Sequence, residues 1–254
     1  MAEASSDRRY RRLRVANVAV GLVLAAEALA MLLLGNGLTL PVTASYLPTD
    51  PVAVQRAAPS EVLFTVSIGA VVAAFLLLAA ADHLIVSAPR VRRWYEHNLD
   101  ARSNYARWIE YSISASVMIV LIAMFVGIRD VAALLAIFAA NSAMILFGLL
   151  MERQQKPGSA DWGAFWFGSV IGAVPWIAIA VYLFGGPARP PTFVYAITVI
   201  ELVLFFSFAL NMFVQYRQVG RWRDYVSGEV TYILLSLGAK SVLAWLIFAN
   251  VLRS

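Results

Sequence analysis

Cysteine is absent from the 254 residues, lysine occurs only twice, and charged residues make up just 14% of the chain. Without a thiol there can be no disulfide framework, no thiolate zinc site and no thiol catalysis. So little charge alongside so much apolar material excludes a disordered chain. Metal-ligand spacings and phosphate-cradling glycine loops are also missing, so neither a metal site nor an enzyme is expected. What is present is apolar. Hydrophobic residues reach 61%, against about 45–50% in a soluble domain. The net charge of +5 comes from 20 basic residues, of which all but Lys156 and Lys240 are arginine. They cluster between apolar runs, which points to membrane surfaces rather than to nucleic acid.

Apolar runs of spanning length fall at about 15–35, 62–86, 105–127, 131–151, 162–185, 192–215 and 229–251. Each approaches the roughly 20 residues that a helix needs to cross the hydrocarbon. With no alternating barrel pattern, helices are the only available spanning element. The sequence therefore predicts an all-α membrane protein: a single seven-helix domain over 1–254 in the cell membrane, among lipids. The basic start, Arg8-Arg9-Tyr10-Arg11-Arg12, leads directly into a run of spanning length, so a cleavable signal peptide is not expected. If the N-terminus is cytoplasmic, fifteen basic residues lie inside, in the start and in the connections around Arg90–Arg107, Arg153–Lys156 and Arg217–Arg223. Only Arg56, Arg129, Arg189 and Arg253 lie outside. The positive-inside rule thus predicts a cytoplasmic N-terminus and an extracellular C-terminus. The first outer connection, Gly35 to Ser60, is long and carries Pro41, Pro48, Pro51 and Pro59, with a small β-hairpin as one reading.

A charge at mid-bilayer costs about 2.5–3.5 kcal/mol, so each ionisable residue inside a span needs a reason. Those residues are Glu27, Asp82, His83, Glu110, Glu201 and Lys240. Lys240 lies midway along the last span and is the side chain that can deprotonate and attack a carbonyl. One reading is a structural ion pair; the other is an imine to an aldehyde, held protonated by a counterion. Opposite charges about 4 Å apart attract by about 4 kcal/mol at an effective dielectric of about 20. Glu110, one to two turns into the third span, is the expected partner if the two helices are neighbours. Ser236 precedes Lys240 by one turn and Ser114 follows Glu110 by one turn, so both hydroxyls are candidates for the same site. His83 near the inner end of the second span is either a structural histidine or a proton acceptor. Asp82, rotated about 100° from it, serves another face. Asn141, Met144, Trp176, Phe205, Phe206 and Trp245 are candidate walls for a flat apolar ligand.

Three stretches resemble the heliorhodopsins, inverted relatives of the microbial rhodopsins. They are Arg107-Trp108-Ile109-Glu110-Tyr111-Ser112, Ser236-Leu237-Gly238-Ala239-Lys240-Ser241-Val242-Leu243-Ala244-Trp245, and Asn211 to Tyr216 followed by Gly220-Arg221-Trp222-Arg223-Asp224-Tyr225. The resemblance implies all-trans retinal on Lys240, Glu110 as counterion, Ser236 near the imine, His83 in a cytoplasmic polar pocket, an inside N-terminus and a homodimer. One position departs from it: where the family often has histidine in the first span, this chain has Leu24.

Proton pumps of the wider group place a second carboxylate eleven residues after the counterion, a position held here by Leu121. Only Glu201 is placed to serve the outer half. The reading is a photosensor with a slow photocycle and an unidentified cytoplasmic signalling partner, for which the arginine-rich inner connections are candidate docking surfaces. The alternatives are a light-driven or light-gated proton conductor using Glu201, and a membrane scaffold without retinal.

Overall fold

The computed structural model describes residues 2–47, 52, 58–187 and 189–253, with side chains from Arg9 onward. Pro48, Pro51 and Arg56 lie outside the described residues. In hydrocarbon every backbone N–H and C=O must be paired within the protein, and seven apolar segments do so as helices. These are α1 (Ala2–Leu34), α2 (Ile68–Ser87), α4 (Tyr105–Phe125), α5 (Val131–Gln154), α6 (Gly163–Gly185), α7 (Thr192–Tyr216) and α8 (Tyr225–Ile247). All seven are long and apolar enough to cross a membrane, α1 from Arg9 onward. A π-helical turn, Phe248–Leu252, extends α8, and a 3₁₀ turn, Gly220–Arg223, precedes it.

Two expectations are corrected. Residues 62–67 do not begin the second span. They belong to β2 (Ser60–Ser67), which pairs antiparallel with β1 (Thr39–Ser45), with a register shift between Val42 and Thr43. The β-branched and aromatic run Val62-Leu63-Phe64-Thr65-Val66 suits an extended chain. Ser67 then caps α2, its hydroxyl accepting from the Ala70 N–H. The hairpin leans on the α4–α5 connection, where Thr43 N–H donates to the Arg129 carbonyl at 2.9 Å. The connection after α2 is also not a loop: it holds α3 (Pro89–Asp100), opened by proline at its first position. Tyr95 and Leu99 of α3 are buried while Trp94 is exposed, so this helix lies against the bundle end. Burial pushes the Tyr95 phenol up, with the Glu229 charge adding to the effect.

Contacts collect the arginine-rich segments at one end of the bundle, opposite the hairpin. Arg9 pairs with Asp224 at 2.9 Å, Tyr10 donates to Asp100, and the Arg14 Nε–H donates to the Ser87 carbonyl at 3.1 Å. Polarity is inverted relative to a soluble bundle: Val170, Ile177 and Phe184 of α6 are exposed, whereas Glu201, Asn141, Ser236 and Lys240 are buried. Lipid solvates the former. Small residues let α5 and α6 approach closely. A Cβ added at Gly168 would stand 3.0 Å from Phe147, and one at Gly172 would stand 2.1 Å from the Met144 sulfur.

Candidate functional site

The fold brings α8 and α4 together at Lys240. Its Nζ donates to the Ser236 hydroxyl at 2.9 Å and stands 3.5 Å from Glu110 Oε1. It also lies 4.9 Å from the centroid of the Tyr111 ring, within range of a cation–π attraction. Lys240 is 3% exposed and Glu110 8%. An ammonium so far from water is tolerable only because a carboxylate, a hydroxyl and a ring face meet it. Glu110 Oε1 makes no hydrogen bond among the described residues, and neither does the buried Ser114 hydroxyl.

His83 is buried, and its Nδ1 shares a hydrogen bond with the Asn17 side chain at 2.6 Å. Asn17 in turn donates to the Leu13 carbonyl and, with Arg14, Arg92 and Glu96, lines a small cleft. Asn17 escaped sequence reading because a lone amide in an apolar run carries no spacing signal. Leu24 is fully buried in the apolar core. Asp82 is half-buried and within electrostatic reach of Glu110 and Lys240.

Of the proposed ligand walls, Asn141 is fully buried and donates to the Ser116 hydroxyl at 3.1 Å, while Met144 fills the notch over Gly172. Trp176 and Phe205 meet edge to face at 5.4 Å. Phe206 does not join them: it is 64% exposed, because it sits about 100° round α7 from Phe205. Trp245 also turns outward, where its indole N–H donates to Glu27 Oε1 at 3.1 Å and Ser241 donates to Glu27 Oε2 at 2.8 Å. Glu27 therefore clips α1 to α8 beside the lysine. Glu201 is fully buried, and both its oxygens lack a hydrogen-bond partner among the described residues.

A second polar cluster lies one turn from Glu110 towards the N-terminal end. Arg107, counted with the inner basic residues at the start of the expected 105–127 span, is in the first turn of α4, capped by Asn104, and is 4% exposed rather than at the surface. Its Nη2 stands 2.5 Å from Glu152 Oε1 and 3.0 Å from Glu229 Oε1. Its guanidinium lies between the Trp108 and Tyr232 rings, 4.2 and 3.8 Å from their centroids. Asn104 donates through its backbone N–H to Glu152 at 3.0 Å and through Nδ2 to Glu229 at 2.6 Å. The Trp108 indole N–H donates to Glu152 at 2.6 Å, and the Tyr225 hydroxyl donates to Glu152 at 3.1 Å. Sequence reading missed Glu152 and Glu229 because they stand at the edges of the expected spans, one position past 131–151 and at the first position of 229–251, whereas α5 and α8 extend beyond both edges. A Cβ at Gly148 would stand 2.4 Å from the Trp108 ring. Since Trp108 is pinned by Glu152, Gly148→Ala is expected to cost about 1–3 kcal/mol through overpacking. The apparent melting temperature in detergent reads this loss; unchanged melting would show that the ring is free to move.

A buried lysine amine facing a carboxylate with an unpaired oxygen, and an adjacent unpaired hydroxyl, fit a carbonyl cofactor joined to that amine. The family model for heliorhodopsin matches residues 13–252. No curated protein matches the chain. Among solved structures, a light-driven proton pump rhodopsin from Coccomyxa subellipsoidea is similar with a TM-score of 0.63 at 16% identity, over 94% of this chain and 96% of that one. A light-driven proton pump from Leptosphaeria maculans is similar with a TM-score of 0.54 at 12% identity, over 97% of this chain and 95% of that one. At these identities the likeness concerns the fold.

Proposed function

The chain belongs to the heliorhodopsin family of light-responsive retinal proteins, and from that premise we propose that it is a photosensor carrying all-trans retinal on Lys240, with Glu110 as counterion. The observation that carries this reading is the buried Lys240 Nζ, 3.5 Å from Glu110 Oε1 and hydrogen-bonded to Ser236. Retinal held at that nitrogen would supply light absorption and isomerisation. Ser236 and the Tyr111 ring orient the nitrogen and its charge. Glu110 Oε1, without a hydrogen bond among the described residues, would take a proton from it. His83, hydrogen-bonded to Asn17 beside the cleft at Arg14 and Arg92, is a further candidate proton acceptor, and Ser114 follows Glu110 by one turn of α4.

Signalling without pumping is supported by where the acids lie. Past Glu110, α4 carries no acid, and neither does α8 past Lys240, so proton return from the hairpin side would be slow and the photocycle long. The N-terminal end is the proposed cytoplasmic face, because the basic residues gather there. Asp224 caps α8 and accepts from Arg9, and the neighbouring Tyr10 donates to Asp100, so a shift of α8 would reach the start of α1 and the end of α3. A cytoplasmic protein is the proposed receiver. A second copy of the chain is the proposed lateral partner.

The second reading, a light-driven or light-gated proton conductor, has one observation in its favour: the fully buried, unpartnered Glu201 carboxyl on the hairpin side. Vesicles containing the retinal-loaded protein are expected to show absorbance transients on illumination with no net pH change. A sustained light-driven pH change, abolished by Glu201→Gln, would overturn the sensor in favour of the conductor.

A further inference from the structure

The Arg107 cluster sets two carboxylates against one guanidinium. Glu152 is 7% exposed, Glu229 1% and Arg107 4%, so water cannot balance the surplus negative charge. The groups that face the cluster from neighbouring elements do not balance it either. Asn104, Trp108, Tyr225 and Tyr232 are neutral, Tyr216 of α7 donates to the Met151 carbonyl, Tyr95 of α3 is a neutral phenol, and Asp82 of α2 and Glu110 of α4 are acids. The one other cation inside the bundle among the described residues, Lys240, is matched to Glu110. Both carboxylates touch the same guanidinium nitrogen, and Glu229 Oε1 makes no hydrogen bond among the described residues.

We propose that Glu152 and Glu229 hold one exchangeable proton between them, making the Arg107 cluster a proton store that answers to the charge on Glu110. A proton on either carboxyl leaves the cluster with one positive and one negative charge, which a low-dielectric interior tolerates far better than an unbalanced acid. Glu110 follows Arg107 by three residues on α4 and so sits on the same face. When Glu110 gains a proton its negative charge is lost, Arg107 is drawn more strongly to the two carboxylates, and the shared proton is loosened. The inference rests on the retinal reading only for its light trigger.

The test is carbon NMR of the full-length, retinal-loaded protein in bilayers, labelled at the glutamate carboxyl carbon, in the dark and under illumination. The dark spectrum of the parent is expected to contain a neutral-carboxyl resonance that is lost in both Glu152→Gln and Glu229→Gln and kept in Glu201→Gln. Both single variants are expected to fold, because glutamine has the size and hydrogen bonds of the neutral acid, whereas the double variant, with Arg107 unpaired, is expected to melt far lower. A dark spectrum in which neither single variant removes a neutral carboxyl overturns the proposal, and so does a single variant that fails to fold. Illumination is expected to weaken the shared resonance. A colour change without that weakening overturns the light response. A colourless protein that keeps the dark resonance would sink the retinal reading and leave the shared proton standing.

Discussion

Lys240→Ala is expected to remove visible absorption completely, while the seven helices remain. The side chain is 3% exposed and meets Ser236, Glu110 and the Tyr111 ring face, and the helix around it is held by apolar neighbours such as Ala239, Leu243 and Ala244. Alanine keeps helix propensity but has no amine to bond a carbonyl. It also leaves Glu110 buried without its cation, and a neutral carboxyl at that position would relieve the cost. The measurement is an absorption spectrum of the protein purified after expression with all-trans retinal, beside the parent before and after hydroxylamine. The parent should be coloured and bleach; the variant should be colourless and still helical by circular dichroism. A coloured variant would move the attachment site away from Lys240. A colourless parent would favour a scaffold in which the Lys240–Glu110 pair is structural.

Arg107→Ala carries the largest expected effect on stability. Removing one member of a buried ion network leaves the others uncompensated and costs about 3–5 kcal/mol. Two carboxylates depend on this guanidinium, and the Trp108 and Tyr232 rings lose the cation between them. The apparent melting temperature should fall on the order of 10 °C for a loss of that size in a chain of this length. Arg107→Lys should recover only part of it, since an ammonium lacks the planar fork that spans two acceptors and stacks between rings. Adding Glu152→Gln to Arg107→Ala should restore some stability by removing one stranded acid. If Arg107→Ala melts like the parent, α4, α5 and α8 are held at this end by apolar packing alone.

The hairpin and the polar clusters differ in how far the sequence discloses them. Long apolar runs specify helices in hydrocarbon because no other open-chain structure pairs its own backbone there, so all seven spans were readable without the fold. Lys240 stood out for the same reason: a cation at mid-span demands a partner, and Glu110 was the acid at reachable depth. The β2 strand was misread because Val62 to Val66 are as apolar as a helix start, and only pairing with β1 distinguishes the two. Helix α3 was missed because a twelve-residue amphipathic segment at the bundle end has no run of spanning length.

The partnerships around Arg107, Asn17 and Glu27 depend on which helix faces each residue. Glu152 and Arg107 are separated by 45 positions and Glu27 and Trp245 by 218, and no spacing rule links positions on different helices. The sequence by itself therefore determined the number of spans and marked Lys240 and Glu110 as candidates for one site, while the structure made them neighbours. Only the tertiary structure decided that Phe206 turns away from the interior, that Glu27 clips α1 to the lysine helix, and that two acids share one guanidinium. The division follows from the physics: burial in lipid is a property of a segment, whereas charge pairing inside the bundle depends on the angles at which helices meet.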